Sequence, residues 1–238
     1  VVMIFVNGDS VTWGSELSTD DMDYIKTHRY SHHISEKFGE VINLSKLYNN
    51  NDTICRESIE WLENNSPDFV IIQWSPLKRF EWYDGKKWRT IAPNDTTTRI
   101  TLNHETNKFE KKRPRSAAVA YYSEIENDYV SQKNFWSNVH HLECYLDKRN
   151  IPHYFWYGKG SPKETKKLPD LDVTYRNISK WGDMLETCEI IGNSVETDHY
   201  TEKESSILSS VGGKRMGGHP NERGHELLAE HICDFIQW

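Results

Sequence analysis

The sequence predicts an α/β protein built round a short parallel sheet. Two apolar runs and the helical spacing between them carry that prediction. Residues 1–7 (VVMIFVN) form an apolar run that stops at Gly8-Asp9-Ser10, the pattern of a buried strand feeding straight into a turn. FVIIQW, directly after Pro67-Asp68, is a second buried strand of the same kind. Between them, Ile54, Ile59, Trp61 and Leu62 recur near helical spacing within residues 53–64. Strand, crossover, strand, helix, strand is the order in which parallel sheets are built.

The remaining elements follow in chain order. EVIN, with Leu44 after it, is a short β-branched run and predicts a strand at 40–44. Residues 77–115 break the alternation. Aromatic and charged residues alternate there around Asp84-Gly85, a hairpin signal, and a polar stretch ending in a basic run follows. This stretch reads as an insertion, either a hairpin or a lid. Residues 116–150 contain neither Gly nor Pro, and Ala117, Ala120, Tyr121, Ile125 and Tyr129, then Phe135, Val139, Leu142 and Leu146, recur at three-to-four spacing. One long helix fits, as do two with a break near Ser131. HYFWY is a further strand, residues 158–172 are a Gly/Pro/Lys loop, and residues 173–215 give no clear pattern. Asn221 caps a last helix with Leu227, Leu228, His231, Ile232 and Phe235 on one face. No repeat or linker divides the chain, so residues 1–238 read as one domain.

Composition narrows the function. The 238 residues carry 29 Lys+Arg and 36 Asp+Glu, a formal charge of −7, which gives no electrostatic case for nucleic acid or an anionic membrane as partner. No apolar run approaches the ~20 residues of a spanning helix. The first residues lack a basic segment and a small-residue cleavage site, so no secretory signal is expected. Cys55, Cys144, Cys188 and Cys233 are scattered without a CxxC pair, which fits a reducing cytoplasm and excludes a cysteine zinc cluster. The His-His and Asp-His pairs lack metal-ligand spacing, so no metal is expected.

Two motifs carry chemistry. Gly8-Asp9-Ser10-Val11-Thr12-Trp13-Gly14 puts a serine in the turn after the first strand, where open α/β sheets hold their active sites. Its hydroxyl is a candidate nucleophile and its backbone N–H a candidate oxyanion donor. Gly218-His219-Pro220-Asn221-Glu222 holds an imidazole just before the last helix, at an angle set by Pro220, where it can serve as general base. Trp13, Trp74, Trp82 and Trp88 fall near the proposed site loops, where aromatic rings suit sugars.

With these motifs at its two ends, the chain resembles the SGNH/GDSL hydrolases, and VINLSKLYNNNDTICRESIEWL followed by PDFVIIQWSPLKRFEWYD is similar to versions encoded by tailed bacteriophages. The resemblance implies a three-layer α/β/α, flavodoxin-like sandwich and hydrolysis of an ester, such as an O-acetylated carbohydrate, without metal or cofactor. A phage origin implies the host cytoplasm or the virion as location. By the resemblance Ser10 is the nucleophile and His219 the base. The oxyanion is received by the N–H groups of Ser10 and Tyr48, with Asn51 or Ser75 as side-chain donor; Gln73 is the rival of Ser75 at the place where the family has an asparagine. Asp9, Trp13, Gln73 and Trp74 are expected at the substrate. The family's aspartate, three residues before the histidine, is Met216 here. Asp198, Glu222 or a backbone carbonyl is then the partner of His219, or the pair acts as a dyad, or catalysis has been lost and the chain is a binding or virion-structural module.

Overall fold

The computed structural model describes residues 2–15, 17, 21–97, 99–103, 108–157, 220 and 222–236. β1 (Val2–Asn7) runs to Gly8, and α1 (Ser10–Trp13) is a single turn capped by Asp9, whose carboxylate accepts from the Val11 N–H at 3.2 Å. α2 (Met22–His28) and α3 (Tyr30–Phe38) lead to β2 (Gly39–Asn43). α4 (Asn51–Leu62) starts at Asn50, whose side chain accepts from the Thr53 N–H at 2.9 Å. β3 (Phe69–Trp74) is buried along its length. Two antiparallel hairpins follow: β4 (Phe80–Tyr83) with β5 (Trp88–Ile91), then β6 (Arg99–Asn103) with β7 (Lys108–Lys112). α5 (Ser116–Glu124), α6 (Asp128–Lys148), β8 (His153–Tyr157) and α7 (Glu222–Phe235) complete the described elements.

The core sheet has the order β2-β1-β3-β8 with every pairing parallel. The chain steps outward from β1 to β2, then crosses back over β1 to β3 and on to β8. The direction of winding therefore reverses between β1 and β3, and the crevice beyond their carboxyl ends is where open sheets of this kind bind ligands.

Strand alternation builds the layers. Ile4, Val6, Phe69 and Ile71 face one side, where they pack with Tyr30 and Ile34 of α3 and Leu228 and Ile232 of α7. Phe5, Val70, Ile72 and Trp74 face the other, against Ile54 and Leu62 of α4 and Phe135, Val139, Leu142 and Leu146 of α6. Helices thus cover both faces of a parallel sheet, the three-layer α/β/α architecture expected.

Three details differ from the sequence reading. The helical stretch after residue 116 does break, but at Ile125–Asn127 rather than Ser131, because the Asn127 side chain accepts from the Val130 N–H at 3.0 Å and starts α6 there. The buried face of α7 carries Leu228, Ala229, Ile232 and Cys233, with Ile236 buried just beyond it, while Phe235 is exposed. The insertion holds a second hairpin beyond the one turned at Asp84-Gly85. Residues 158–215 and Asn221 lie outside the described residues.

Candidate active site

Ser10 opens α1 at the carboxyl end of β1, in the crevice between β1 and β3, and is 9 % exposed. A buried polar lattice fixes its turn. The Gln73 side-chain oxygen accepts from the Thr12 N–H at 2.9 Å, the Thr12 hydroxyl at 2.6 Å and the Asp9 N–H at 3.3 Å. The Gln73 amide in turn donates to Asp9 Oδ1. Because the Thr12 proton is committed to Gln73, the Tyr30 hydroxyl 3.1 Å away is the donor to Thr12. Gly8 leaves room for this lattice: a Cβ there would stand 2.5 Å from Thr12 Oγ1 and 2.8 Å from Gln73 Cβ.

The second wall is the segment between β2 and α4. Tyr48 lies there with φ +62°, a left-handed conformation that costs a side-chain-bearing residue about 1–2 kcal/mol. Its ring lies beside the Arg79 guanidinium, 5.0 Å from centroid to Cζ, and its hydroxyl donates to Asn94 Oδ1. Asn49 ties this segment to β1 by donating to the Gly8 carbonyl at 3.1 Å.

Asn51 and Ser75 meet each other. The Asn51 amide donates to the Ser75 carbonyl at 3.0 Å, and its oxygen accepts from the Ser75 N–H at 2.7 Å. The Ser75 hydroxyl donates to the Asn49 carbonyl at 2.8 Å. Both side chains therefore join the end of β3 to the start of α4, and Ser75 is completely buried.

The residues expected at the substrate divide in the same way. Trp74 is fully buried with Phe135 and Phe155 edge-on against it, so it belongs to the core. Gln73 is equally buried, and its whole amide serves the Ser10 turn. Asp9 commits Oδ1 to Val11 and Gln73, and Oδ2 to Arg79 at 3.0 Å. Asp9 and Gln73 therefore hold the Ser10 turn, and Trp74 packs in the core. Trp13 is half-buried at the end of α1.

Arg79, just beyond β3, joins the same lattice. Its Nη1 reaches Asp9 Oδ2 at 3.0 Å, the Asn49 carbonyl at 2.9 Å and Ser75 Oγ at 2.9 Å. The only sequence signal was a charged residue close after a central buried strand, within a stretch read as part of the insertion.

His219 and Met216 lie outside the described residues, as does Asp198. The helix that follows His219 is firmly held. Pro220 is buried, the Tyr30 N–H donates to His225 Nδ1 at 3.2 Å, and Tyr24 donates its hydroxyl proton to Glu222. An accepting Nδ1 makes His225 neutral with its proton on Nε2. The first turn of α7 thus sits beside α2 and α3, one hydrogen bond beyond the Tyr30–Thr12 pair.

The family of unknown function DUF6071 matches residues 15–237. The chain belongs to that family. No curated protein matches this DUF6071 chain by sequence. Among solved structures it is similar to a protein assigned to the lipolytic G-D-S-L family from Desulfitobacterium hafniense, at 12 % identity over 99 % of this chain and 100 % of that one, with a TM-score of 0.51. It is also similar to the psychrotrophic esterase EstA from Pseudoalteromonas sp. (12 % identity, 98 % and 96 % covered, TM-score 0.46) and to the acetylxylan esterase Axe2 from Geobacillus stearothermophilus (14 %, 100 % and 94 %, 0.44). The first of these likenesses gives the DUF6071 chain the G-D-S-L fold. Among the described residues no helix is long and apolar enough to cross a membrane.

Proposed function

We propose that the chain is a serine hydrolase of small-molecule or carbohydrate esters, with O-acetylated sugars as the favoured class. The observation that carries this reading is the position of Ser10: a serine in a hydrogen-bonded turn at the sheet's switch point, tied to the left-handed Tyr48 segment through the Asn49–Gly8 hydrogen bond. Ser10 Oγ attacks the acyl carbon while His219 takes its proton. The N–H groups of Ser10 and Tyr48 receive the oxyanion, a backbone role that any side chain except proline permits. His219 returns the proton to the leaving alcohol, and water then releases the acyl group from Ser10 by the same steps in reverse. The hydrogen bonds of Glu222 to Tyr24 and of His225 to Tyr30 hold the start of α7, the helix that the proposed base precedes in sequence, beside α2 and α3.

With Met216 at the aspartate position, His219 takes its orientation from another acceptor or acts in a dyad with Ser10. Glu222, one of the expected partners, already accepts from Tyr24. If the chain is phage-encoded, it acts in the host cytoplasm or the virion.

The exposed aromatics of the first hairpin, with Trp88 51 % and Tyr83 52 % accessible, favour a second reading. In it the chain is a catalytically weak module that grips a glycan or protein through those rings. Turnover of p-nitrophenyl acetate by wild type and Ser10→Ala separates the two. The hydrolase reading expects Ser10→Ala to lose nearly all activity, and equal rates leave the binding module.

A further inference from the structure

We propose that Arg79 is the side-chain donor to the oxyanion; the assignment rests on the ester-hydrolase reading above. The chain has no asparagine directly after β3; of the two side chains nearest that role, Ser75 has spent its one proton and Asn51 is held on the Ser75 backbone. Ser75 gives its hydroxyl proton to the Asn49 carbonyl at 2.8 Å, and it is completely buried. The Asn51 amide is clamped at both of its polar atoms on the Ser75 backbone, and that residue is also buried.

Arg79 has donors to spare. All three of its hydrogen bonds leave from Nη1, and among the described residues neither Nε nor Nη2 has an acceptor. The guanidinium is held at one edge by Asp9, Asn49 and Ser75 and on its face by the Tyr48 ring, so its remaining edge is pre-oriented. Its anchors are the immediate neighbours of the two proposed backbone donors, Asp9 beside Ser10 and Asn49 beside Tyr48. The side chain is 17 % exposed, so the guanidinium is not sealed in the core. Asp9 balances the resting charge, so the cation is already desolvated and compensated before a negative oxygen develops. A charged donor fixed in this way stabilises the tetrahedral intermediate more than the neutral ester, which is the differential binding that raises turnover.

The test measures kcat and KM for p-nitrophenyl acetate in wild type, Ser10→Ala, Arg79→Met and Arg79→Lys, with thermal unfolding of each. Arg79→Met is expected to lose about 10²–10³ in kcat with KM nearly unchanged. Arg79→Lys keeps a charge against Asp9 and regains at least about tenfold over Arg79→Met, without the bidentate fork. If Arg79→Met does not fold, Arg79→Lys alone decides, with a loss of about tenfold in kcat expected against wild type. Ser10-dependent turnover that Arg79→Met leaves intact overturns the assignment alone, as does full wild-type kcat in Arg79→Lys. A fall in melting temperature with KM rising in step with kcat loss, and no rescue by lysine, also overturns it in favour of a mere tether. Equal rates for wild type and Ser10→Ala overturn the hydrolase reading and this assignment together.

Discussion

The Gln73 side chain closes on Asp9 from across the sheet: its oxygen accepts from the Asp9 N–H at 3.3 Å while its amide donates to the Asp9 carboxylate. This reciprocal pair joins the end of β3 to the turn that presents Ser10. Gln73→Glu replaces the donor with a second buried carboxylate facing Asp9. It is expected to cost about 3 kcal/mol near pH 7, and less near pH 4, where the two acids can share a proton. Urea unfolding at the two pH values checks this, and an unchanged midpoint at pH 7 contradicts it.

Tyr48 holds a left-handed conformation that glycine adopts without penalty. If its backbone N–H is what matters, Tyr48→Gly keeps the donor and loses only the ring beside Arg79. Its kcat on p-nitrophenyl acetate is then expected to fall by no more than about tenfold, the worth of a cation–π contact. Tyr48→Pro removes the N–H and cannot adopt positive φ, so it is expected to lose most activity. Full activity in the proline variant contradicts the oxyanion role of this segment.

Asp52, in the first turn of α4, accepts from Asn138 and from the Glu81 N–H, yet burial raises its carboxyl above the usual aspartate range. A raised pKa in the folded state means that the folded chain binds more protons than the unfolded one across that window. Stability from this group is therefore present at low pH and lost as pH rises through the raised value. Asp52→Asn is expected to flatten the part of the stability curve just above the usual aspartate range, measured by denaturant unfolding across pH. A slope identical to wild type contradicts the assignment.

Cys55 faces the core beneath α4, and burial pushes its thiol up to about 12. Cys144 is exposed on α6, and Cys233 is buried with its thiol also raised. Brief iodoacetamide treatment of the native chain at pH 8, followed by peptide mapping, is expected to modify Cys144 ahead of Cys55 and Cys233. Early modification of Cys55 contradicts the packing of α4 on the sheet.

The regular elements were legible because their periods are physical. β1 and β3 are buried on both faces and read as unbroken apolar runs, and α4 shows its stripe through Ile54 and Leu62. The break before α6 was misplaced because a cap depends on one side chain, Asn127, within a stretch whose composition is helical on both sides. The turn of Ser10 was legible, but the partners of Asp9 were not. Asp9, Gln73 and Arg79 lie 64 and 70 positions apart in sequence, and no spacing rule reveals that they share one buried lattice. Polar residues expected to face a ligand instead satisfy one another, as burial requires. Arg79 escaped notice because charge in an insertion usually faces water, whereas here a carboxylate and a carbonyl draw it inward.

The most direct test of the account is labelling by a fluorophosphonate, which reacts only with a serine whose proton is drawn off by a neighbouring base. The account predicts that intact mass and peptide mapping find one adduct, on Ser10, and that His219→Gln labels far more slowly. Absence of label on Ser10, or an equal rate in His219→Gln, would contradict a shared proton between the two ends of the chain.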